Sequence, residues 1–327
     1  MKKISFCFFV FLISLITSKL YCTETANQNA SAASQKIDFS VGTKTSYNNE
    51  KRSYCVIDET GKLNSMLEWQ SDYLFKFGVD GNLKIGMLEI FSSLVFPLPL
   101  NCGKMYDSDW RTAGIKTNFS KSDLFTDFGC DALFGFKYNF KAVLNNFKFF
   151  ISPVIAVSNS YISLKAKNTI GWCGDTAHTH LEKNYPWNSE YSKKVKKYGI
   201  DFKNNITSVF CGVEVSKQFN SFWANIGVLS SPYTYIISVD HHLNKEEGYF
   251  YQLIQKSYFL FWDFYATTGY SINKKNMLLL FIDYSFCPEI NGDFYYGWFK
   301  TENIIADETS SFSYKSFSLC FSWKINI

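Results

Sequence analysis

Beyond its N-terminal segment the chain has no run of eighteen apolar residues, the length a helix needs to cross a bilayer. A helical membrane anchor is therefore excluded. Helical periodicity is also hard to find anywhere along the chain. Net charge is low, at +4, and the basic residues are scattered; a nucleic-acid-binding face needs them clustered. No two cysteines stand in a CxxC spacing, so most read as small apolar residues. Histidine is scarce: His178, His180, His241 and His242 are the only four.

Aromatic residues are abundant, with 33 Phe and 21 Tyr. Lys2 and Lys3 precede an apolar core from Ser5 to Thr17, which reads as a secretory signal peptide over residues 1–22. Cleavage is expected between Ser18 and Ala26, and residues 23–36 (TETANQNASAASQK) form a polar tether with no capacity to build a core. Seven cysteines follow Cys7 and Cys22. An odd number cannot all pair within one chain, and one loop disulfide, Cys55 to Cys102, is expected.

From residue 37 onward the local pattern is alternation. Tyr73, Phe75, Phe77 and Val79 interleave with Leu74, Lys76, Gly78 and Asp80. Period two over about ten residues means strands with two different faces. Short turns are marked at Asp80-Gly81-Asn82, Asn145-Asn146, Asn220-Ser221 and Lys274-Lys275-Asn276, where Asn, Asp and Gly suit tight hairpins. Longer polar loops alternate with them, over 46–63, 98–121, 164–199, 239–249 and 288–311. Nine connections imply ten strands, with both termini on the short-turn side. A secreted chain with this pattern predicts one all-β domain over 37–327, a ten-stranded antiparallel transmembrane β-barrel of the outer membrane with long outer loops and short periplasmic turns. Closing the sheet satisfies every backbone group in hydrocarbon. A soluble secreted β-sandwich is the rival fold, and a wide pore is excluded because side chains fill so narrow a lumen.

Two short motifs carry chemistry. Asp107 and Asp109 stand at i and i+2 in KMYDSDWRT, and Asp240 and His242 do so in SVDHHLN. In an extended segment such pairs point the same way, and His241 points the other way. A barrel can bring the two segments face to face across its mouth. Asp240 could then fix the His242 tautomer while the other imidazole nitrogen takes a proton from water. Two carboxylates held close tend to share a proton, so one can serve as base and the other as acid. Cys173, Asp175, His178 and His180 form a weaker constellation that could hold zinc, though without a recognised spacing; the preferred reading is a polar loop and no metal.

The chain resembles the omptin family of outer-membrane endoproteases. Met105-Tyr106-Asp107-Ser108-Asp109-Trp110 is similar to the family's Asp-x-Asp-Trp motif, Asp240-His241-His242 to its Asp-x-His motif, Leu67-Glu68-Trp69 to its Leu-Asp-Trp strand, and Val41-Gly42-Thr43 with Glu50 to an early strand. The resemblance implies an endopeptidase in which Asp107 with Asp109, and Asp240 with His242, flank an attacking water, with no cofactor required for the chemistry. It implies that Glu50 binds a basic substrate residue. A second acid expected there falls at Ser238, and Arg111, Lys116 and Thr117 occupy the region where another acid would lie, so a single basic residue before the cut is expected. Residues 156–160 offer no arginine, and Asn205 and Ile254 stand where basic groups are expected, which argues against dependence on lipopolysaccharide. The implied partners are peptide or protein substrates and outer-membrane lipid. A non-catalytic barrel acting as an adhesin or host-factor receptor is the alternative.

Overall fold

The computed structural model describes residues 37–112, 114–144, 147–174, 185–196, 199–243, 249–298 and 301–327. The signal segment 1–22 and the tether 23–36 lie outside the described residues. Among those described, none is helical, and fourteen strands form one antiparallel sheet. These are β1 (Ile37–Ile57), β2 (Leu63–Ile85), β3 (Leu88–Pro97), β4 (Asn101–Asp109), β5 (Asn118–Tyr138), β6 (Phe140–Leu144), β7 (Phe147–Cys173), β8 (Lys193–Lys196), β9 (Ile200–Phe219), β10 (Phe222–His242), β11 (Tyr249–Ser257), β12 (Phe261–Ser271), β13 (Asn276–Trp298) and β14 (Thr301–Asn326).

Three pairs of these segments are single staves with a local break. β3 and β4 both pair with β2 and with β5. β5 and β6 both pair with β7. β11 and β12 both pair with β10 and with β13. β8 is a flap on the end of β7. Ten staves remain among the described residues, and β1 pairs with β14 on one side and β2 on the other. The sheet closes on itself and has no edge, so every stave finds backbone partners on both sides.

Inward and outward residues alternate, as the pleat requires. The outer wall carries an apolar belt that includes Phe75, Phe77, Phe136, Ile155, Ile226, Phe264, Ile282, Phe321 and Trp323. Such a continuous exposed apolar surface fits hydrocarbon, and the barrel spans the membrane there. At the same level the lumen is filled by charge. Lys137 bridges Glu89 at 3.0 Å and Glu214 at 2.9 Å, and Lys324 meets Asp80 at 2.5 Å. The buried apolar side chains gather in the lumen nearer the mouth, where Trp69, Met105, Leu124, Leu164, Phe202, Ile236, Leu253 and Phe312 pack together.

Two expectations about connections are corrected. The long loops are largely strand: β1 and β2 leave only 58–62 between them, and β10 runs through His242. Beyond the bilayer both faces of the wall can be polar, so the hydrophobic alternation fades while the ladder continues. The turn expected at Asp80-Gly81-Asn82 lies within β2, and the chain turns instead at Gly86, with φ +61°. Asp80 faces inward to Lys324, which accounts for an acid there. The turn at Asn220 stands where expected, with Asn220 at φ 49°. The pair Asn145-Asn146 lies outside the described residues.

Candidate active site

Asp107 and Asp109 occupy the end of β4, in strand rather than loop. The ladder sets Asp107 between Leu67 of β2 and Ser120 of β5, and Asp109 between Ser65 and Asn118. Both face inward. Ser120 Oγ donates to Asp107 Oδ2 at 3.4 Å, and Ser65 Oγ donates to Asp109 Oδ1 at 3.0 Å. Asp107 is buried and Asp109 half-buried. One glycine makes this approach possible: a Cβ on Gly103 would stand 2.0 Å from the Gln70 carbonyl oxygen.

Asp240 and His242 close β10 on its inner face. His242 Nε2 lies 3.2 Å from Asp240 Oδ2. Asp240 is fully buried and His242 is 8% exposed. His241 faces outward, edge-on to Phe250 at 6.4 Å, and burial followed by the nearby Lys203 charge holds its pKa below the ordinary value. The opposite pointing of the two histidines follows from the strand period alone.

Tyr54 joins the two sides. Its hydroxyl donates to Asp240 Oδ2, and the Asp107 carboxylate acts on it electrostatically. Burial first, then the Asp240 and Asp107 charges, push the Tyr54 phenol well above its ordinary value. The Tyr54 ring stacks on Phe202 at 6.2 Å and Phe202 on Trp69 at 4.4 Å, making an aromatic floor beneath the carboxylates. Sequence reasoning missed Tyr54, although it shares the inward parity of Arg52 and Glu50 two and four residues earlier. Above the floor, Tyr251 meets His242 edge-on at 5.1 Å and stacks on Phe294 at 5.3 Å. Tyr251, Phe294, Tyr296, Asp58, Glu59, Thr60 and Asn64 line a cleft of about 540 Å³.

Glu50, expected to bind a basic substrate residue, is enclosed by internal cations. It is 2% exposed, with Arg52 Nη1 at 2.5 Å on Oε2 and Lys76 Nζ at 2.5 Å on Oε1. Lys76 also reaches Asp131 at 2.7 Å, and Arg52 Nε donates to Asn204 at 3.0 Å. Two internal cations thus engage both carboxylate oxygens of a group closed to solvent. Ser238 is buried and accepts from Asn204 Nδ2 at 3.0 Å. The Cys55–Cys102 disulfide does not form: both are free thiols, Cys102 turned inward against Ser71 Oγ at 3.7 Å while Cys55 lies on the outward face of β1. Asp175, His178 and His180 lie outside the described residues, and Cys173 ends β7. On the outer wall above the belt, Asn159 Nδ2 donates to Asn205 Oδ1 at 2.8 Å and to Thr207 Oγ1 at 2.8 Å. That position presents amides and hydroxyls to the outside.

No protein-family model matches the chain, and no characterised protein matches it in sequence. Comparison with solved structures gives the outer membrane protease OmpT from Escherichia coli, at 13% identity and a TM-score of 0.75, covering 90% of this chain and 99% of that one. The translocator domain of the autotransporter NalP from Neisseria meningitidis and the outer membrane protein OprG from Pseudomonas aeruginosa match at 8% identity each, covering 96% and 90% of this chain and 95% and 97% of theirs. Their TM-scores of 0.36 and 0.37 carry no argument. With its ten staves, closed ladder and apolar belt, the chain is an outer-membrane β-barrel with the fold of the omptin OmpT.

Proposed function

We propose that the protein is an outer-membrane endopeptidase that hydrolyses peptide bonds with a water activated between the Asp107–Asp109 couple and the Asp240–His242 dyad. One observation carries the reading: a buried carboxylate orients a histidine on the inner face of the mouth, and the Tyr54 hydroxyl binds that same carboxylate. Neutral His242 accepts a proton from the water as its oxygen attacks the scissile carbonyl carbon. Asp240 stabilises the imidazolium that results, and the proton passes to the leaving amine as the C–N bond breaks. Asp107 and Asp109 hold the water from the opposite flank. No side-chain nucleophile is needed.

Substrate preference lies with other groups than Glu50. The cleft beside His242 combines Asp58 and Glu59 with three aromatic walls, which suits a single cationic side chain next to the cut bond. The outward amides at Asn159 and Asn205 offer no positive charge to a lipid phosphate, so activity is expected without lipopolysaccharide.

A fluorogenic peptide panel with Arg, Lys or Ala before the cut, given to refolded protein with and without lipopolysaccharide, tests the reading. Cleavage that disappears in His242→Ala and in Asp107→Ala supports it. Undiminished cleavage by both variants overturns it, and an assembled barrel that binds host proteins but cleaves nothing favours the adhesin alternative.

A further inference from the structure

Asp240 is held in an unusual way. It is fully buried, and both donors to it, the Tyr54 hydroxyl and His242 Nε2, use the same oxygen, Oδ2. Oδ1 is buried with no hydrogen-bond partner. A buried carboxylate depends strongly on each donor it has, because water cannot replace a lost one. Without the phenol, the imidazole alone would hold Asp240 through Oδ2.

Tyr54 is placed for this by more than one constraint. It lies on the inner face of β1, in register with Leu67 of β2 and Phe312 of β14. Its ring is pinned by Phe202, itself stacked on Trp69. At 1% exposure it touches no solvent, so any influence it has on a substrate passes through Asp240. Burial, Asp240 and Asp107 keep the phenol protonated, hence a donor, throughout the neutral range.

We propose that Tyr54 is a positioning residue of this site: its hydroxyl fixes the Asp240 carboxylate that orients His242. The kinetic consequence rests on the peptidase reading, whereas the effect on His242 rests on the hydrogen bonds alone. The charged and titratable groups around Tyr54 are Asp240 and His242 from β10, Asp107 from β4 and Tyr251 from β11. On β1 the next inward residue is Arg52, lying 5.0 Å over the Tyr314 ring of β14. β2 and β9 contribute uncharged neighbours, Leu67, Trp69, Phe202 and Asn204. By donating to Asp240 the phenol draws charge away from the imidazole. Removing it leaves more negative charge on the oxygen facing His242 and favours the imidazolium.

The test uses the full refolded barrel and its Tyr54→Phe variant. The His242 titration is followed by NMR of ¹³C-labelled histidine, assigned with His242→Gln, and kcat and KM are measured against pH. In Tyr54→Phe the His242 midpoint is expected to rise by about one pH unit and kcat to fall about ten-fold, the loss of one hydrogen bond to a charged group. KM should stay unchanged, and the acid limb of kcat should move with the midpoint. Phe202→Leu, which keeps the hydroxyl and weakens the ring's support, should lower thermal stability without moving the midpoint. A midpoint and kcat unchanged in Tyr54→Phe overturn the proposal, as does Phe202→Leu moving the midpoint as far as Tyr54→Phe. A wild-type barrel that cleaves no peptide, while its His242 midpoint rises in Tyr54→Phe, would overturn the peptidase reading and leave the role of Tyr54 standing.

Discussion

At the level of Phe77 and Phe321 the wall turns its rings outward, 52% and 49% exposed, and points Lys76, Asp80 and Lys324 into the lumen. At the level of Tyr54 and Phe202 the rings turn inward, 1% and 0% exposed, while Lys51, Glu68 and Lys203 face outward. The same ladder runs through both. The difference is the solvent. In hydrocarbon an outward ring needs no core, and inward charges are tolerable only when paired, as Glu50, Arg52, Lys76 and Asp131 are. In water the ordinary rule returns, and the lumen becomes an apolar core. The candidate site sits on top of that core, where a low dielectric strengthens each interaction of Asp240 and His242 with its neighbours.

Under the proposed function chemistry belongs to the upper region and assembly to the lower one, and that division can be broken at several points. His242→Ala or Asp107→Ala should cut kcat on the order of 10³-fold or more, as loss of a member of a catalytic unit does elsewhere. Both variants should still migrate as folded barrels before heating; loss of folding would show that the upper residues also hold the barrel together.

Glu50→Gln should show the opposite pattern. It leaves Lys76 and Arg52 with less compensating charge, and removing one partner of a buried pair costs about 3–5 kcal/mol. A fall in the unfolding temperature with KM for a basic substrate little changed would fit the internal ion pairs. A raised KM with unchanged stability would restore Glu50 as a substrate contact.

Alkaline pH should soften the upper region. The Tyr54 phenol titrates higher in the folded state than in the unfolded one, so the stability it contributes is complete below pH about 10, the ordinary tyrosine value, and is lost as pH rises above it. Thermal unfolding followed from pH 9 upward should show this decline, and Tyr54→Phe should be less steep.

The smallest effect is expected at the rim. Asp58→Asn with Glu59→Gln should raise KM for a peptide with arginine before the cut by about two- to five-fold, the scale of an exposed ion pair, and leave the alanine peptide unchanged. Equal changes for both peptides would detach the cleft from substrate selection.

The i, i+2 spacing of Asp107 with Asp109 and of Asp240 with His242 was legible in the sequence because a strand's side-chain period is two, whatever the sheet later does. The alternation of Tyr73, Phe75, Phe77 and Val79 was legible for the same reason, with hydrocarbon on one side and the polar lumen on the other. The extent of the strands beyond the bilayer was not, because with water outside the wall, polarity no longer tells strand from loop. The ion pairs of Glu50 were not legible, because Lys76, which engages one of its oxygens, lies 26 residues away along the chain and reaches it only across the β1–β2 pair. Tyr54 was one tyrosine among 21 until β1 and β10 were seen to face each other across the lumen. Which side chains share a face is a local property that the backbone period determines. Which faces meet, and which charges neutralise one another, depends on contacts between distant segments, and only closure of the barrel decided them.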